Sequence, residues 1–165
     1  MARDPRCFTY LSDAAVPVRV VLGDGRLSLA REPDSSFDLI MVDAFNSDAI
    51  PVHLLTREAV GLYLRKIAPG GSIVFHLTNR HLSLSPVVAR LAESHLLSVR
   101  ARRQGGELEA ETGGLASPSI WTVMAPTPAA LGSIFTDRNW GLPVAPPGFR
   151  IWTDDYSSIF SVFVR

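Results

Sequence analysis

Asp43 stands where an acid could do chemistry, directly after a short and almost entirely apolar run. The run, Phe37–Val42, has the length and composition of a strand that is buried on both faces. In an open α/β sheet, ligands bind beyond the carboxyl ends of the strands, so Asp43 could hold a substrate cation or a cofactor hydroxyl. The alternative is that Asp43 only caps a helix that begins near His53. Position alone leaves both interpretations open.

A second acid, Asp24, lies in a glycine-containing segment that follows the apolar run Val18–Leu22. The spacing Gly23-x-Gly25-x-x-Ser28 is close to a dinucleotide-binding fingerprint, but that motif binds pyrophosphate through neutral backbone N–H groups, and Asp24 would add a carboxylate. A carboxylate is better suited to accept hydrogen bonds from an exocyclic amine such as that of adenine, with Gly25 leaving room for the flat ring. A simple turn with Asp24 as a helix N-cap is the other interpretation.

Composition narrows the class of protein. With 165 residues, 47% of them hydrophobic, the chain is expected to form a single domain with a real core. The formal net charge of zero gives no reason to expect a nucleic-acid partner. No apolar run approaches the ~20 residues of a membrane span, no signal peptide is visible, and Cys7 is the single cysteine. We therefore expect a cytoplasmic protein without an internal disulfide.

The histidines do not have the spacing of metal ligands, and no metal site is expected. They are His53, His76, His81 and His95. Isolated histidines of this kind most often have structural roles, with their ring nitrogens satisfied by hydrogen bonds.

The order of apolar and polar segments predicts strands that alternate with helices. The expected strands are Val18–Leu22, Phe37–Val42, Ser72–Leu77, Leu97–Arg103, Ile120–Ala125 and Ile159–Val164. The expected helices are Arg26–Glu32, His53–Ile67, Ser85–Leu97 and Pro128–Phe135. The glycine-rich segment from 104 to 119 is expected to be a mobile loop. The alternation is typical of an α/β fold with a mostly parallel sheet, flanking helices and room for an antiparallel strand at the C-terminal end.

Five segments in this order resemble the spermidine synthase family, which has the class I adenosylmethionine-dependent methyltransferase fold. They are RDPRCFTYLSD (3–13), VVLGDGRLSLA (20–30), FDLIMVDAFNSDAIPVHLLTREA (37–59), IAPGGSIVFHLTNR (67–80) and WTDDYSSIFSV (152–162). The similarity is greatest to bacterial spermidine-synthase-like proteins, which are often fused to a membrane transporter-like segment. The resemblance implies a partial Rossmann-like fold and transfer of an aminopropyl group to an amine.

The resemblance also implies which residues meet the cofactor. Asp24 and Gly25 match the acid and the small residue that bind the adenine of decarboxylated S-adenosylmethionine or of methylthioadenosine. Asp43 and its neighbour Ala44 are expected to border the same cofactor.

For the amine substrate, Asp43 matches the acid that orients the attacking nitrogen and accepts its proton. Asp48, five residues further along, and Tyr156, in the C-terminal segment, are expected to bind the same substrate. The chemistry agrees with these roles, because a neutral amine must attack a sulfonium-activated carbon and a carboxylate can both orient it and take its proton.

The family's first strand, its glycine-rich loop and the acid that holds the ribose hydroxyls have no counterpart among the five segments. The sequence therefore resembles a family member without its N-terminal third. In the family sheet the missing strands lie between Val18–Leu22 and Phe37–Val42, which would leave two strand edges unpaired. We expect these edges to pair directly, to form a homodimer, to bind a partner that supplies strands, or to leave the chain marginally stable.

Three functions follow from these observations and remain open. The first is a transferase that binds decarboxylated S-adenosylmethionine and an amine. The second is a non-catalytic module that keeps the fold and binds a partner. The third is methyl transfer from S-adenosylmethionine on the same fold.

Overall fold

The structure is a computed structural model and describes residues 7–43, 51–79, 82–105 and 119–163. Within these ranges the α-helices and strands are α1 (Gly25–Ala30), β1 (Phe37–Val42), α2 (Arg57–Lys66), β2 (Ile67–His76), α3 (Ser85–Ser94), β3 (Ser98–Gln104) and β4 (Ser119–Ala125). Short 3₁₀ segments occur at Val52–Leu54, Pro128–Phe135 and Ile159–Val162. No helix in the described ranges has the length and apolar character needed to cross a bilayer.

The four strands form one sheet in the order β1-β2-β4-β3. β1 and β2 run parallel, whereas β4 is antiparallel to both β2 and β3. The mixed α/β composition is confirmed, but the prediction of a mostly parallel sheet is wrong. The physical reason is that an apolar pattern reports burial and not direction. β4 enters the sheet between β2 and β3, and it runs against both neighbours.

β1, α2 and β2 form a β-α-β unit, and its helix is shorter than the sequence predicts. Thr56 has an extended backbone, and its Oγ1 accepts a hydrogen bond from the Ala59 amide over 3.1 Å, so Thr56 is the N-cap of α2. The expected helix His53–Ile67 is therefore divided into a 3₁₀ turn and α2. At the other end, Ile67 is already the first residue of β2.

The main core lies between the sheet and helices α2 and α3. Its fully buried side chains include Tyr63 of α2, Phe75 of β2, Val88 of α3 and Trp152 of the C-terminal segment. A smaller cluster lies on the opposite face, because neighbouring residues of a strand point to opposite sides of a sheet. It consists of Val123, Ala125 and Leu131. Both faces of β4 are therefore covered.

β1 is covered on one face and is one of the two edge strands of the sheet in the described residues. Ile40 and Val42 are buried in the main core, whereas Leu39 and Met41, which alternate with them, are 50% and 54% exposed. The expectation that Phe37–Val42 is buried on both faces is therefore wrong, because no helix of the described chain covers its second face.

Two predicted strands are not strands. Residues 18–22 have no regular secondary structure and are all exposed, so this β-branched run lacks the packed face that stabilises a strand. The expected direct pairing of its edge with β1 therefore does not occur. The C-terminal run forms a 3₁₀ turn at Ile159–Val162, and position 164 lies outside the described residues. The predicted loop at 104–119 also lies mostly outside them, but its ends, Gln104 and Ser119, pair as the last residue of β3 and the first residue of β4.

Candidate functional site

A cavity of about 350 Å³ lies where α1 meets the carboxyl end of β1. It is lined by Gly25, Arg26 and Leu29 of α1, by Ile40, Met41 and Val42 of β1, and by Asp43, Leu54 and Tyr63. Ligand pockets of proteins typically measure ~300–1,000 Å³ and are mostly apolar with a few polar groups, and this cavity is at the small end of that range. Two residues selected from the sequence, Gly25 and Asp43, border the same space.

Asp24 precedes Gly25 and is the N-cap of α1. Its Oδ1 accepts a hydrogen bond from the Leu27 amide over 2.8 Å, and its Oδ2 lies 3.2 Å from His53 Nε2. The hydrogen bond from Leu27 lowers the pKa of the Asp24 carboxyl, and the nearby His53 lowers it further. The capping role is therefore present, and an adenine amine would have to share or displace the His53 contact.

Asp43 follows β1 and contacts His76, the last residue of β2. The distance from Asp43 Oδ1 to His76 Nδ1 is 2.8 Å. This contact follows from the sheet register, because Val42 pairs with Phe75 and the next residue of each strand is therefore opposite the other. The Asp43 side chain is 55% exposed, so its carboxylate is open to solvent as well as to His76.

His76 is held on three sides. Its Nε2 lies 2.7 Å from Thr78 Oγ1, and its ring stacks on Trp121 with the ring centroids 4.3 Å apart. Thr78 Oγ1 in turn accepts a hydrogen bond from the Ile120 amide over 3.1 Å. The carboxylate at the end of β1 is thereby connected to the backbone of β4.

The inner wall of the cavity carries a neutral hydroxyl. Tyr63 is buried, and its OH donates to the Leu54 carbonyl over 3.1 Å. Burial raises the pKa of Tyr63 further above its ordinary value of 10.0, at which a phenol is already protonated at neutral pH. Arg26 also lines the cavity, and its guanidinium is bound to Asp154. Tyr63 and Arg26 therefore contribute a neutral hydroxyl and a cation that is already paired.

Among the remaining predicted site residues that the structure describes, Tyr156 is not brought to the cavity. Tyr156 lies in the C-terminal segment, where the Arg150 guanidinium is 3.6 Å from its ring centroid and its backbone pairs with Thr153. It does not line the cavity. Ala44 and Asp48 lie outside the described residues.

Sequence reasoning missed the functional interest of His76, which was expected to be an isolated structural histidine. Both of its ring nitrogens are indeed hydrogen-bonded, but one of them is bonded to the predicted catalytic carboxylate. The available signal was the shared sheet edge: if Phe37–Val42 and Ser72–Leu77 are parallel neighbours, the polar residues at their carboxyl ends lie close together.

A scan against protein-family models finds no match, and a search of curated proteins finds no similar sequence. Within the described residues, His, Cys, Asp and Glu side chains form no group of three or more that could hold a metal ion. The function is therefore argued from the cavity and the residues that border it.

Proposed function

We propose that this chain is a spermidine-synthase-like transferase domain on a partial Rossmann-like, class I methyltransferase fold. It binds decarboxylated S-adenosylmethionine as co-substrate and transfers the aminopropyl group to an amine in the cytoplasm. The observation that carries the proposal is that Gly25 and Asp43, assigned to the adenine and to the amine, line one cavity. The parallel β1-α2-β2 unit, with an acid after its first strand, gives further support.

The adenine end of the site is assigned to α1. A side chain added at Gly25 would have no heavy atom within 4 Å of its Cβ, so the glycine leaves open space at the first residue of the helix. Leu29, Ile40 and Leu54 give the cavity apolar walls, which suit the faces of a flat ring. Asp24, next to Gly25, supplies the acceptor for the exocyclic amine.

The chemistry is assigned to Asp43. A neutral amine nitrogen attacks the aminopropyl carbon that is bonded to the sulfonium, so a C–N bond forms as the C–S bond breaks. The bonding electrons go to sulfur, methylthioadenosine leaves as a neutral thioether, and the Asp43 carboxylate takes the proton released from nitrogen. The carboxylate thus acts as orienting group and general base, and the leaving group needs no acid.

Calorimetric titration with methylthioadenosine tests the cofactor assignment. The wild-type protein should bind it with a Kd of about millimolar or tighter, and Gly25→Leu should weaken binding by about tenfold or more because it fills the cavity. Gly141→Leu is the matched control, since the Cβ of Gly141 also meets no heavy atom within 4 Å and Gly141 lies away from the cavity. Equal loss in both variants would contradict the assignment.

Asp24→Ser separates the helix-capping role of Asp24 from its proposed role in binding adenine. Serine retains an N-cap oxygen for α1, so the helix should persist while the acceptor for adenine is lost. Weaker methylthioadenosine binding with an unchanged circular dichroism spectrum is the expected result. Unchanged binding would remove Asp24 from the site.

An assay with decarboxylated S-adenosylmethionine and a diamine such as putrescine tests the reaction. Asp43→Asn should abolish turnover and leave methylthioadenosine binding intact, because the amide can no longer accept the proton. Turnover at the wild-type rate in Asp43→Asn would overturn the proposed role.

A second candidate, the non-catalytic partner module, is favoured by two observations. Both carboxylate oxygens of Asp24 already have contacts within the chain, and the edge strand β1 presents the half-exposed Leu39 and Met41. A folded protein that gives no heat with methylthioadenosine at about millimolar concentration would support this module over the transferase.

A further inference from the structure

A continuous chain of polar contacts leads from the backbone of β4 to the candidate base. It passes from the Ile120 amide to Thr78, from Thr78 to His76, and from His76 to Asp43. Each distance lies between 2.7 and 3.1 Å, within the range of ordinary hydrogen bonds. The groups at the two ends of this series of contacts determine which atom donates in each hydrogen bond.

The two groups at the ends of this series of hydrogen bonds can each act in only one way, as donor or as acceptor. The Ile120 amide can only donate, so it donates to Thr78 Oγ1. The Asp43 carboxylate can only accept, so His76 Nδ1 must carry a proton and donate it. A neutral imidazole with its proton on Nδ1 has a lone pair on Nε2, and this lone pair accepts the Thr78 hydroxyl proton. Every donor in the chain then meets an acceptor.

The plane of the imidazole is fixed as well. His76 and Trp121 are opposite each other in the β2–β4 register, and their rings are stacked with an angle of 16° between the planes. A ring that is stacked on one face and hydrogen-bonded at both nitrogens has few other rotamers. Its Nδ1–H therefore points to one place, which is Oδ1 of Asp43.

We propose that Thr78 and His76 are positioning residues for the candidate base, in a relay that fixes the His76 tautomer with its proton on Nδ1. The relay holds Oδ1 of Asp43 and leaves Oδ2 as the oxygen that meets the amine. This assignment of Oδ2 rests on the function proposed above, whereas the tautomer and its dependence on Thr78 do not.

Nitrogen NMR of protein labelled at histidine tests the tautomer directly. The spectrum is recorded about two pH units above the ~6.5 of an ordinary imidazole, where histidine is neutral. His76, assigned by comparison with His76→Asn, should have its proton on Nδ1, whereas a free imidazole side chain favours Nε2. A His76 resonance pattern with the proton on Nε2 would overturn the relay.

Thr78→Val tests the dependence of the tautomer on the hydroxyl. Valine keeps the branched shape and removes the donor to Nε2, so the His76 population should move toward the Nε2–H form. Thr78→Ser restores the hydroxyl and should restore the wild-type spectrum. Thr78→Val also removes the acceptor of the Ile120 amide, and this loss could prevent folding. In that case the spectrum of the wild-type protein still decides the tautomer. A folded Thr78→Val with an unchanged tautomer would overturn the dependence.

His76 variants test positioning in turnover. In His76→Asn the amide nitrogen can take the place of Nδ1, whereas the longer side chain of His76→Gln cannot place a donor there. His76→Gln should lower kcat by about 10- to 100-fold with the KM for the nucleoside unchanged, and His76→Asn should stay within about threefold of wild type. Equal losses in the two variants would overturn the positioning role. Absence of turnover in the wild-type protein would instead overturn the proposed transferase function and, with it, the role of Oδ2. The NMR result would still decide whether the relay exists.

Discussion

Arg26 and Asp154 are 128 residues apart in the chain and form two parallel hydrogen bonds of 2.7 Å, from Nη1 to Oδ1 and from Nη2 to Oδ2. Asp154 Oδ1 also accepts the Thr56 hydroxyl over 2.7 Å, and the Asp154 amide donates to Glu58 Oε2 over 2.9 Å. The C-terminal segment is thereby joined to α1 and to the start of α2. Bidentate pairs of this kind are stronger than the single contacts of most surface ion pairs.

Loss of the Arg26–Asp154 pair should lower the stability of the fold. Arg26→Gln should reduce the free energy of unfolding by about 1–2 kcal/mol, a value that allows for the partial exposure of Asp154 to water. Asp154→Asn should cost a similar amount. The double variant should cost clearly less than the sum, because both changes remove the same interaction. Urea unfolding of the four proteins gives the coupling energy.

The control for this cycle is the Arg90–Glu93 pair on α3, whose side chains are both exposed. Arg90→Gln is expected to cost at most about 0.5 kcal/mol, because exposed pairs one turn apart on a helix contribute little. A coupling between Arg26 and Asp154 no larger than the cost of this control would show that the ion pair does not hold the C-terminal segment, and that its other contacts, such as the hydrogen bond from the Asp154 amide to Glu58, do.

The same pair should make stability depend on pH in the acid range. The hydrogen bond from Arg26 lowers the pKa of the Asp154 carboxyl below its ordinary value of 3.8, and the hydrogen bond from Thr56 adds to this effect. The folded state therefore binds fewer protons than the unfolded state, so the stabilisation is present above the unfolded pKa and is lost as the pH falls through the folded value.

The measurable quantity is the difference in unfolding free energy between the wild type and Asp154→Asn. This difference should be constant between about pH 5 and 7 and should shrink below about pH 4. Urea unfolding at a series of pH values measures it. A difference that persists unchanged to about pH 2 would mean that the Asp154 pKa is not tied to the stability of the fold.

Most elements of the fold could be predicted because burial leaves a local pattern. The apolar runs at Phe37–Val42 and Ile120–Ala125 and the proline at the start of α3 place a strand or helix within a few residues of where the structure has it. Val18–Leu22 has the same β-branched composition, but a strand also needs a neighbour and a packed face, which a local pattern does not report. The direction of β4 was not predictable for a similar reason.

The candidate site shows the same division. The position of Asp43 followed from the end of an apolar run, which is a local feature. Its contact with His76 depends on which strand is adjacent and on the Val42–Phe75 register. The Arg26–Asp154 pair depends on how the C-terminal segment returns to α1, and it had no signal in the sequence at all.

Two buried threonines should respond differently to the same substitution. Thr56 and Thr122 are each 1% exposed. The Thr56 hydroxyl accepts from the Ala59 amide and donates to Asp154, whereas Thr122 Oγ1 has no hydrogen-bond partner in the described part of the chain. Valine has nearly the same shape as threonine, so the substitution isolates the hydroxyl.

Thr56→Val should therefore cost about 2–3 kcal/mol, because it removes a helix N-cap and a hydrogen bond to a charged group. Thr122→Val should be neutral or should stabilise the protein by up to about 1 kcal/mol, because it removes a buried hydroxyl without a partner. Chemical denaturation measures both. A loss above about 1 kcal/mol for Thr122→Val would show that this hydroxyl is satisfied in solution.

Gly71 should resist substitution because of the irregular pairing of β1 with β2. Phe37 pairs with Ile67 and Leu39 with Ser72, so β2 carries extra residues at this point. A Cβ at Gly71 would lie 2.9 Å from the Asp38 carbonyl oxygen and 3.0 Å from that of Ala68. Both contacts are with backbone atoms, the first in β1 and the second in β2 itself, so the backbone around the bulge would have to shift.

Gly71→Ala is expected to lower the free energy of unfolding by about 1–3 kcal/mol, as overpacking does elsewhere in protein cores. Gly141→Ala, with no heavy atom within 4 Å of its Cβ, should change it by less than about 0.5 kcal/mol. Amide exchange in β1 and β2 should also increase in Gly71→Ala, since the bulge precedes the register that places Asp43 opposite His76. Wild-type stability and exchange in Gly71→Ala would show that the two strands can shift at no cost, and the Asp43–His76 contact would then lose its rigid support.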